Sequence, residues 1–282
     1  MTKIINLFIA YLKNRNLSER TLQEYSSDLK HLISWHESHY LDGHDKKKPF
    51  CFSQINKLEL AEYIENMTRI DELKPTTINR RISALKLFFD WAYHNGYSKR
   101  NPAKHIKLIK LEKSNPRFIT DDEEKSFLET VRAHGTIRDR AIVTLMVHTG
   151  LRVSETCNIK KSDIHLSDKN SYIEVSANNQ HRKIPLNSIT QSILGRYISS
   201  FHFDSEYLFV SGKTNNKLTD RALRHIIKKY MDLAGLEGLS AYSLRHNFAY
   251  RKIQTLSIKK LAKIMGHNNI TTTSSYLKTS QE

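Results

Sequence analysis

Three short stretches in the second half of the chain carry side chains suited to chemistry on a phosphate. HTGLRVSE (148–155) places Arg152 just after a glycine, with Glu155 three residues on. YSLRHNFA (242–249) sets Arg245 beside His246 and opens on Tyr242. MGHNNITTTSSY (265–276) supplies His267 and, nine residues later, Tyr276. Each residue alone has an ordinary reading, as a surface arginine, a helix-capping histidine or a core aromatic. Together they meet a chemical requirement. Two guanidinium forks grip the non-bridging oxygens of one phosphodiester better than lysines do. Phosphoryl transfer mainly needs positioning and charge stabilisation, and a tyrosine hydroxyl can serve as a covalent nucleophile. The set points to metal-free attack on a nucleic-acid backbone. No paired-carboxylate metal site is apparent, and SGKTNNKLTD (211–220) lacks the spacing of a Walker loop. No metal and no cofactor is expected.

Bulk properties fit a polyanionic partner. The 282 residues include 45 Lys+Arg against 29 Asp+Glu, a formal charge of +16. The charge is spread over both halves: residues 1–110 carry 19 basic and 12 acidic side chains, and the rest carry 26 and 17. A field of that kind attracts nucleic acid. Cys51 and Cys157 are the only cysteines, which suggests neither a disulfide framework nor a zinc cluster. No stretch approaches the roughly 18 apolar residues of a membrane span. The apolar run near the start continues at helical spacing to Leu12 and reads as an amphipathic helix, not a signal peptide. The expected address is the cytoplasm.

The elements that must position these residues follow from periodicity. After the first helix, 17–39 reads as a second, with Ser18 as N-cap and Leu22, Tyr25, Leu29, Leu32 and Trp35 on its apolar face. Residues 56–70 form a third, with Leu58, Leu60, Tyr63 and Ile64. Residues 74–96 form a fourth, entered at Pro75, buried through Ile78, Ile82, Leu85, Phe88, Phe89 and Ala92, and ended at Asn95-Gly96. LDGHDKKKPFC (41–51) is a polar loop between the second and third. A lysine-rich stretch with two prolines follows and reads as a linker. Beyond it come a helix capped at Thr120 with acids in its first turn, and an apolar helix ending at Gly150. SYIEVSANNQHRKIPLN (171–187) reads as a hairpin turning at NNQH. Three helical stretches follow, over 219–235, 240–255 and 258–267.

At this point the sequence resembles the tyrosine recombinases, the phage-integrase and Xer-type enzymes, over nearly the whole chain. TGLRVSE matches the family's first arginine box throughout, YSLRHNFA matches the second at all but its first position, and MGHNNITTTSSY matches the third closely. The resemblance implies a mainly α, two-domain clamp. A helical, SAM-like core-DNA-binding domain would span 1–106, a linker 107–117, and a mostly helical catalytic domain with a small antiparallel sheet 118–282. It implies Arg152 and Arg245 on the scissile phosphate, His267 as a hydrogen-bond donor to it, Tyr276 as nucleophile and Glu155 supporting the first arginine. The implied reaction is strand exchange through a 3′-phosphotyrosine and a Holliday junction. Four protomers would act on two duplex sites with inverted repeats, without ATP.

Two positions depart from the family pattern. Tyr242 stands where the family has a histidine that assists proton transfer. Ala177 stands where a hairpin lysine protonates the leaving 5′-oxygen, and Lys183, beside His181 and Arg182, is the expected substitute acid. In the first half, Thr77, Asn79, Arg80, Arg81, Ser83 and Lys86 line the polar side of the fourth helix and are expected to meet DNA, with Ser18, Arg20, Thr21 and Lys104 as further phosphate contacts. The departures leave a second reading, a regulatory or architectural DNA-binding protein of this fold with weakened catalysis. A third is a type IB-like enzyme that relaxes DNA. Within the first reading, transposon cointegrate resolution, phage integration and chromosome-dimer resolution stay open. Because six residues follow Tyr276, subunit coupling is expected to rely less on a long exchanged C-terminal helix.

Overall fold

The computed structural model describes residues 2–40, 50–111, 117–177, 180–200 and 204–278. Most of the polar loop at 41–51, the middle of the linker, the hairpin turn at 178–179 and the last four residues lie outside this set. The chain divides into two compact units, Met1–Lys113 and Ser114–Glu282.

Among the described residues the first unit holds four helices: α1 (Thr2–Asn14), α2 (Glu19–Tyr40), α3 (Lys57–Arg69) and α4 (Pro75–His94). Ser18 begins α2, its Oγ accepting from the Thr21 N–H at 3.2 Å. Asn56 caps α3 in a reciprocal box with Glu59. Pro75 opens α4 at a position where its missing N–H costs nothing. Phe8, Leu29, Leu32, Leu60, Tyr63 and Phe88 meet in one core. Leu58, expected inside, is exposed, and Met67 takes the inner position instead.

The polar side of α4 is largely occupied within the unit. Asp28 on α2 is buried and accepts a hydrogen bond from Arg80. Arg81 lies 3.7 Å from the same carboxylate and donates to His31 Nε2 at 2.9 Å. Asn79 makes two hydrogen bonds with the backbone of Ile109, at 2.8 and 2.7 Å, and Lys86 donates to the Ile106 carbonyl at 2.9 Å. Ser83 turns back onto the Asn79 carbonyl. These contacts strap residues 106–109, where the sequence reading put the boundary between the first domain and the linker, onto the first unit. Arg80 and Ser83 keep part of their surface exposed, so these contacts fix the polar side of α4 in place at the surface of the unit.

The second unit runs α5 (Asp121–His134), α6 (Ile137–Thr149), α7 (Val153–Asn158), a single 3-10 turn, β1 (Ile164–His165), β2 (Tyr172–Ala177), β3 (Gln180–Pro185), α8 (Ser188–Ser199), α9 (Asp220–Leu233), α10 (Ala241–Ile253), α11 (Ile258–Met265) and α12 (Ile270–Lys278). The strands form an antiparallel sheet in the order β1-β2-β3, with Val175 opposite Arg182 and Glu174 opposite Lys183. Helix α6 is buried from Ala141 to Val147 and forms the centre of the unit, packed against α5, α8 and α10. Thr120 and Glu123 form the capping box expected of α5. Helices α7 and α8 and strand β1 are additions to the sequence reading. No helix among the described residues is long and apolar enough to cross a membrane.

Candidate active site

The three motif stretches meet in the second unit, at the C-terminal ends of two helices. Helix α6 ends at Gly150 in the left-handed conformation, φ 64°. A Cβ there would collide with the Phe248 ring of α10, so both backbone and packing call for glycine. The chain then turns, and Arg152 precedes the first residue of α7. Helix α11 ends at Gly266, again left-handed, φ 62°. Helix α10 is fixed from the other side by Glu124 on α5, whose carboxylate accepts from Asn247 at 2.9 Å and Arg251 at 2.6 Å.

Helix ends leave carbonyls without partners. Here arginines supply them. Three successive carbonyls at the end of α11 each accept from a different guanidinium. Ile264 accepts from Arg182 Nε at 2.7 Å, Met265 from Arg245 Nη2 at 2.7 Å, and Gly266 from Arg152 Nη2 at 2.9 Å. Arg245 also donates to the Gly150 carbonyl at 2.7 Å, and it is only 5% exposed. Glu155 balances the group. Its carboxylate accepts from the Arg152 N–H and Nη1, both at 2.8 Å, and from Arg182 Nη2 at 2.9 Å, with Arg245 3.8 Å away. Burial alone would raise the Glu155 carboxyl, but the hydrogen bond and charge of Arg182, with Arg152, hold it below its ordinary value. Burial and the neighbouring Arg152 lower Arg245 to about 10, so it stays charged at neutral pH.

His267 stands directly after the α11 cap. Its Nε2 accepts from Arg245 at 3.1 Å, so in this state Nδ1 carries the proton and donates to the buried Thr273 hydroxyl at 2.8 Å. Burial, then Arg245, Arg152 and Arg182, push its pKa down to about 4, and the ring is neutral at pH 7. Asn269 caps α12 through the Thr271 N–H at 2.9 Å. That helix carries Tyr276 into the pocket, 5% exposed, with its ring 6.5 Å from His267 and nearly parallel to it. Burial raises the phenol pKa and Tyr242 adds to the rise, while Arg245 and Arg152 oppose it.

The structure thus brings together Arg152, Arg245, His267, Tyr276 and Glu155, and places Tyr242 at the rim, 66% exposed. It does not bring Lys183. Strand residues alternate faces, and Ile184 points into the core, so Arg182 points inward and Lys183 outward. The Lys183 ammonium pairs with Glu174 at 3.1 Å and lies over the Tyr172 ring at 4.4 Å. Ala177 is near the hairpin tip and offers no proton. Lys183→Ala is therefore expected to cleave DNA within threefold of the parent rate in a single-turnover assay. Arg182 is the residue that sequence reasoning passed over. It is 7% exposed and fills the space that a Cβ on Gly266 would need, its Nη1 lying 2.8 Å from that position. Gly266→Ala should force a left-handed alanine, costing about 1–2 kcal/mol, and displace Arg182. The expected result is a calorimetric midpoint lower by about 2–8 °C, with a proportionally larger loss of cleavage rate.

Residues 117–282 match the phage integrase family, and residues 5–96 match its N-terminal SAM-like domain. The chain belongs to the phage integrase family of tyrosine recombinases. Among relatives of this recombinase, the TnP I resolvase of Bacillus thuringiensis is 30% identical over 97% of this chain and 94% of that protein. The tyrosine recombinase XerC of Staphylococcus epidermidis is 29% identical over 100% and 94%. A lambda integrase dimer bound to a COC′ core site shares the fold, with a TM-score of 0.76 at 21% identity, covering 98% of this chain and 94% of that one. The Tn1549 transposon integrase does so with a TM-score of 0.76 at 18% identity.

Proposed function

We propose that this recombinase cuts and rejoins DNA at specific sites through a covalent 3′-phosphotyrosine on Tyr276. The observation that carries the reading is the convergence of Arg152, Arg245, His267 and Tyr276 in one basic pocket. Arg245 is held by two carbonyls, so it is in place before DNA arrives and loses little freedom on binding. Arg152 is half-buried and presents its fork beside it. The two grip the non-bridging oxygens of the scissile phosphate. His267 becomes a donor to that phosphate when the Thr273 hydroxyl rotates from acceptor to donor and the imidazole proton moves to Nε2. Glu155 and Arg182 act one step back, fixing Arg152. A cavity of about 400 Å³ beside Arg152 and Arg245 is also lined by Arg224 and Lys228 of α9, a setting suited to a polyanion.

Tyr276 attacks the phosphorus, the phosphotyrosine bond forms and a 5′-hydroxyl leaves. The 5′-hydroxyl of a partner strand then displaces the tyrosine. The bond energy stays in the protein link, so no nucleotide is consumed. The net charge of +16 favours duplex DNA as partner. Arg20 and Lys104, exposed on the first unit, with Thr21 and the α4 residues Thr77, Asn79, Arg80, Arg81, Ser83 and Lys86, are its candidates for DNA contact. The lambda integrase has been seen as a tetramer on a Holliday junction, which supports four protomers on two inverted-repeat sites here. Among the three roles, the likeness to a resolvase leads us to favour transposon cointegrate resolution, with the cytoplasm as the proposed location.

The test uses a duplex nicked beside the cleavage point, so that the short 5′-hydroxyl fragment diffuses away. The expected product is a covalent protein–DNA band whose tryptic mass places the nucleotide on Tyr276. An adduct on any other residue, or none on a duplex the protein binds, removes the reading.

A further inference from the structure

His246 follows Arg245 on α10, and none of the roles above uses it. Its ring is wedged edge-on between two tyrosines, 4.2 Å from the Tyr242 ring and 5.1 Å from the Tyr276 ring by centroids. Both nitrogens, Nδ1 and Nε2, are buried and have no hydrogen-bond partner among the described residues. A buried polar group left unpaired is destabilising, and a phenylalanine would fill the same space without that cost. Buried unpaired groups of this kind call for an explanation, and a chemical role is one. Burial, helped by Arg245, lowers the imidazole pKa, so the ring is neutral at pH 7 and has a lone pair to offer.

We propose that His246 is the proton acceptor for the Tyr276 hydroxyl. It sits one helical turn beyond Tyr242, on the same face of α10, and in contact with the nucleophile's ring. The proposal rests on the function given above for Tyr276. In cleavage the Tyr276 Oη–phosphorus bond forms, the phosphorus–O5′ bond breaks, the phenolic proton passes to His246, and the leaving 5′-oxygen takes a proton from solvent. In rejoining, the incoming 5′-hydroxyl gives its proton to solvent, and the imidazolium returns its proton to Tyr276 as that oxygen leaves. The titratable and charged groups recorded against the ring are Tyr242 and Arg245 from α10 and Tyr276 from α12. A phosphate arriving beside Arg245 offsets the guanidinium charge and raises the basicity of His246 at the moment it is needed. Hydrogen bonds of this type commonly form only in the substrate complex.

The experiment measures single-turnover cleavage of the nicked duplex by His246→Phe. The variant is made with natural Tyr276 and with 3,5-difluorotyrosine at position 276, whose phenol ionises more readily. General-base catalysis contributes about 10²–10⁴-fold. The expected result is a loss of at least a hundredfold, DNA affinity within threefold of the parent, and at least tenfold recovery on fluorination in the variant but not the parent. A loss under threefold overturns the proposal, and so does a larger loss that fluorination does not reduce. A duplex with sulfur in the bridging 5′ position, whose thiolate leaves without a proton, should give no recovery. Recovery there would assign His246 to the leaving group and overturn the proposal. Should His246→Phe fail to fold, His246→Gln is read by the same outcomes. A parent that makes no Tyr276 adduct removes both readings, whereas a parent that makes it beside an undiminished variant removes only this one.

Discussion

Tyr276→Phe is expected to abolish covalent capture of nicked DNA, with no band above background, while DNA affinity and melting temperature stay near those of the parent. The change removes one oxygen and nothing else. The ring keeps its edge-on contact with His246, its stacking over His267 and its place beside Phe248, Leu261 and Met265. Loss of a hydroxyl's interactions costs about 1 kcal/mol or less in stability, whereas loss of the nucleophile leaves the first chemical step without its attacking atom. Tyr242 provides the control. Its phenol lies at the same rim and is far more exposed, so exposure alone would favour it as the attacking group. An adduct that survives Tyr276→Phe and disappears with Tyr242→Phe would reverse the assignment.

Glu155→Ala should lower the stability of the second unit by about 3–5 kcal/mol, the range for removing one partner of a buried ion pair. One carboxylate balances Arg152 and Arg182 directly and Arg245 at a longer distance. The Arg182 side chain is only 4% exposed, so removal strands a guanidinium where water cannot reach it. A midpoint lower by about 6–20 °C in calorimetry is expected. The pH dependence carries the same signature. The folded-state pKa of Glu155 lies below its unfolded value, so its contribution is complete above the unfolded pKa, near 4.3, and is lost as pH falls through the folded value. The parent should therefore lose stability in that acid window more steeply than Glu155→Ala does.

Long helices with an unbroken apolar face were legible in the sequence: α2, α4, α5 and α6 lie within a residue or two of their expected limits. Helix α8 was not, because its buried set is only Thr190, Leu194 and Tyr197, diluted by polar neighbours and Gly195. Helix α7 has six residues and β1 two, too short for any period to register. In the site, the motif residues were legible by type and spacing. Arg182 could have been found from the strand period alone, since Ile173, Val175 and Ile184 fix the inner face and place residue 182 on it. The polar face of α4 could not be resolved that way. Asp28, which holds Arg80, is 52 residues away and looks like one more surface acid until the fold buries it. The two unpaired nitrogens of His246 are a property of packing and leave no mark on the sequence.

The three arginines at the end of α11 also set the electrical state of the pocket. Three guanidiniums against the single Glu155 carboxylate leave two uncompensated positive charges. A phosphodiester in its resting form carries one negative charge. As a deprotonating tyrosine adds to phosphorus, the five-coordinate species carries two. The arginine and Glu155 set is therefore charge-matched to the species at the top of the barrier and over-positive for the DNA it first binds. A preference of that kind turns electrostatics into rate instead of affinity. It also makes vanadate, which adopts the same five-coordinate shape, a tighter ligand for the recombinase–DNA complex than inorganic phosphate.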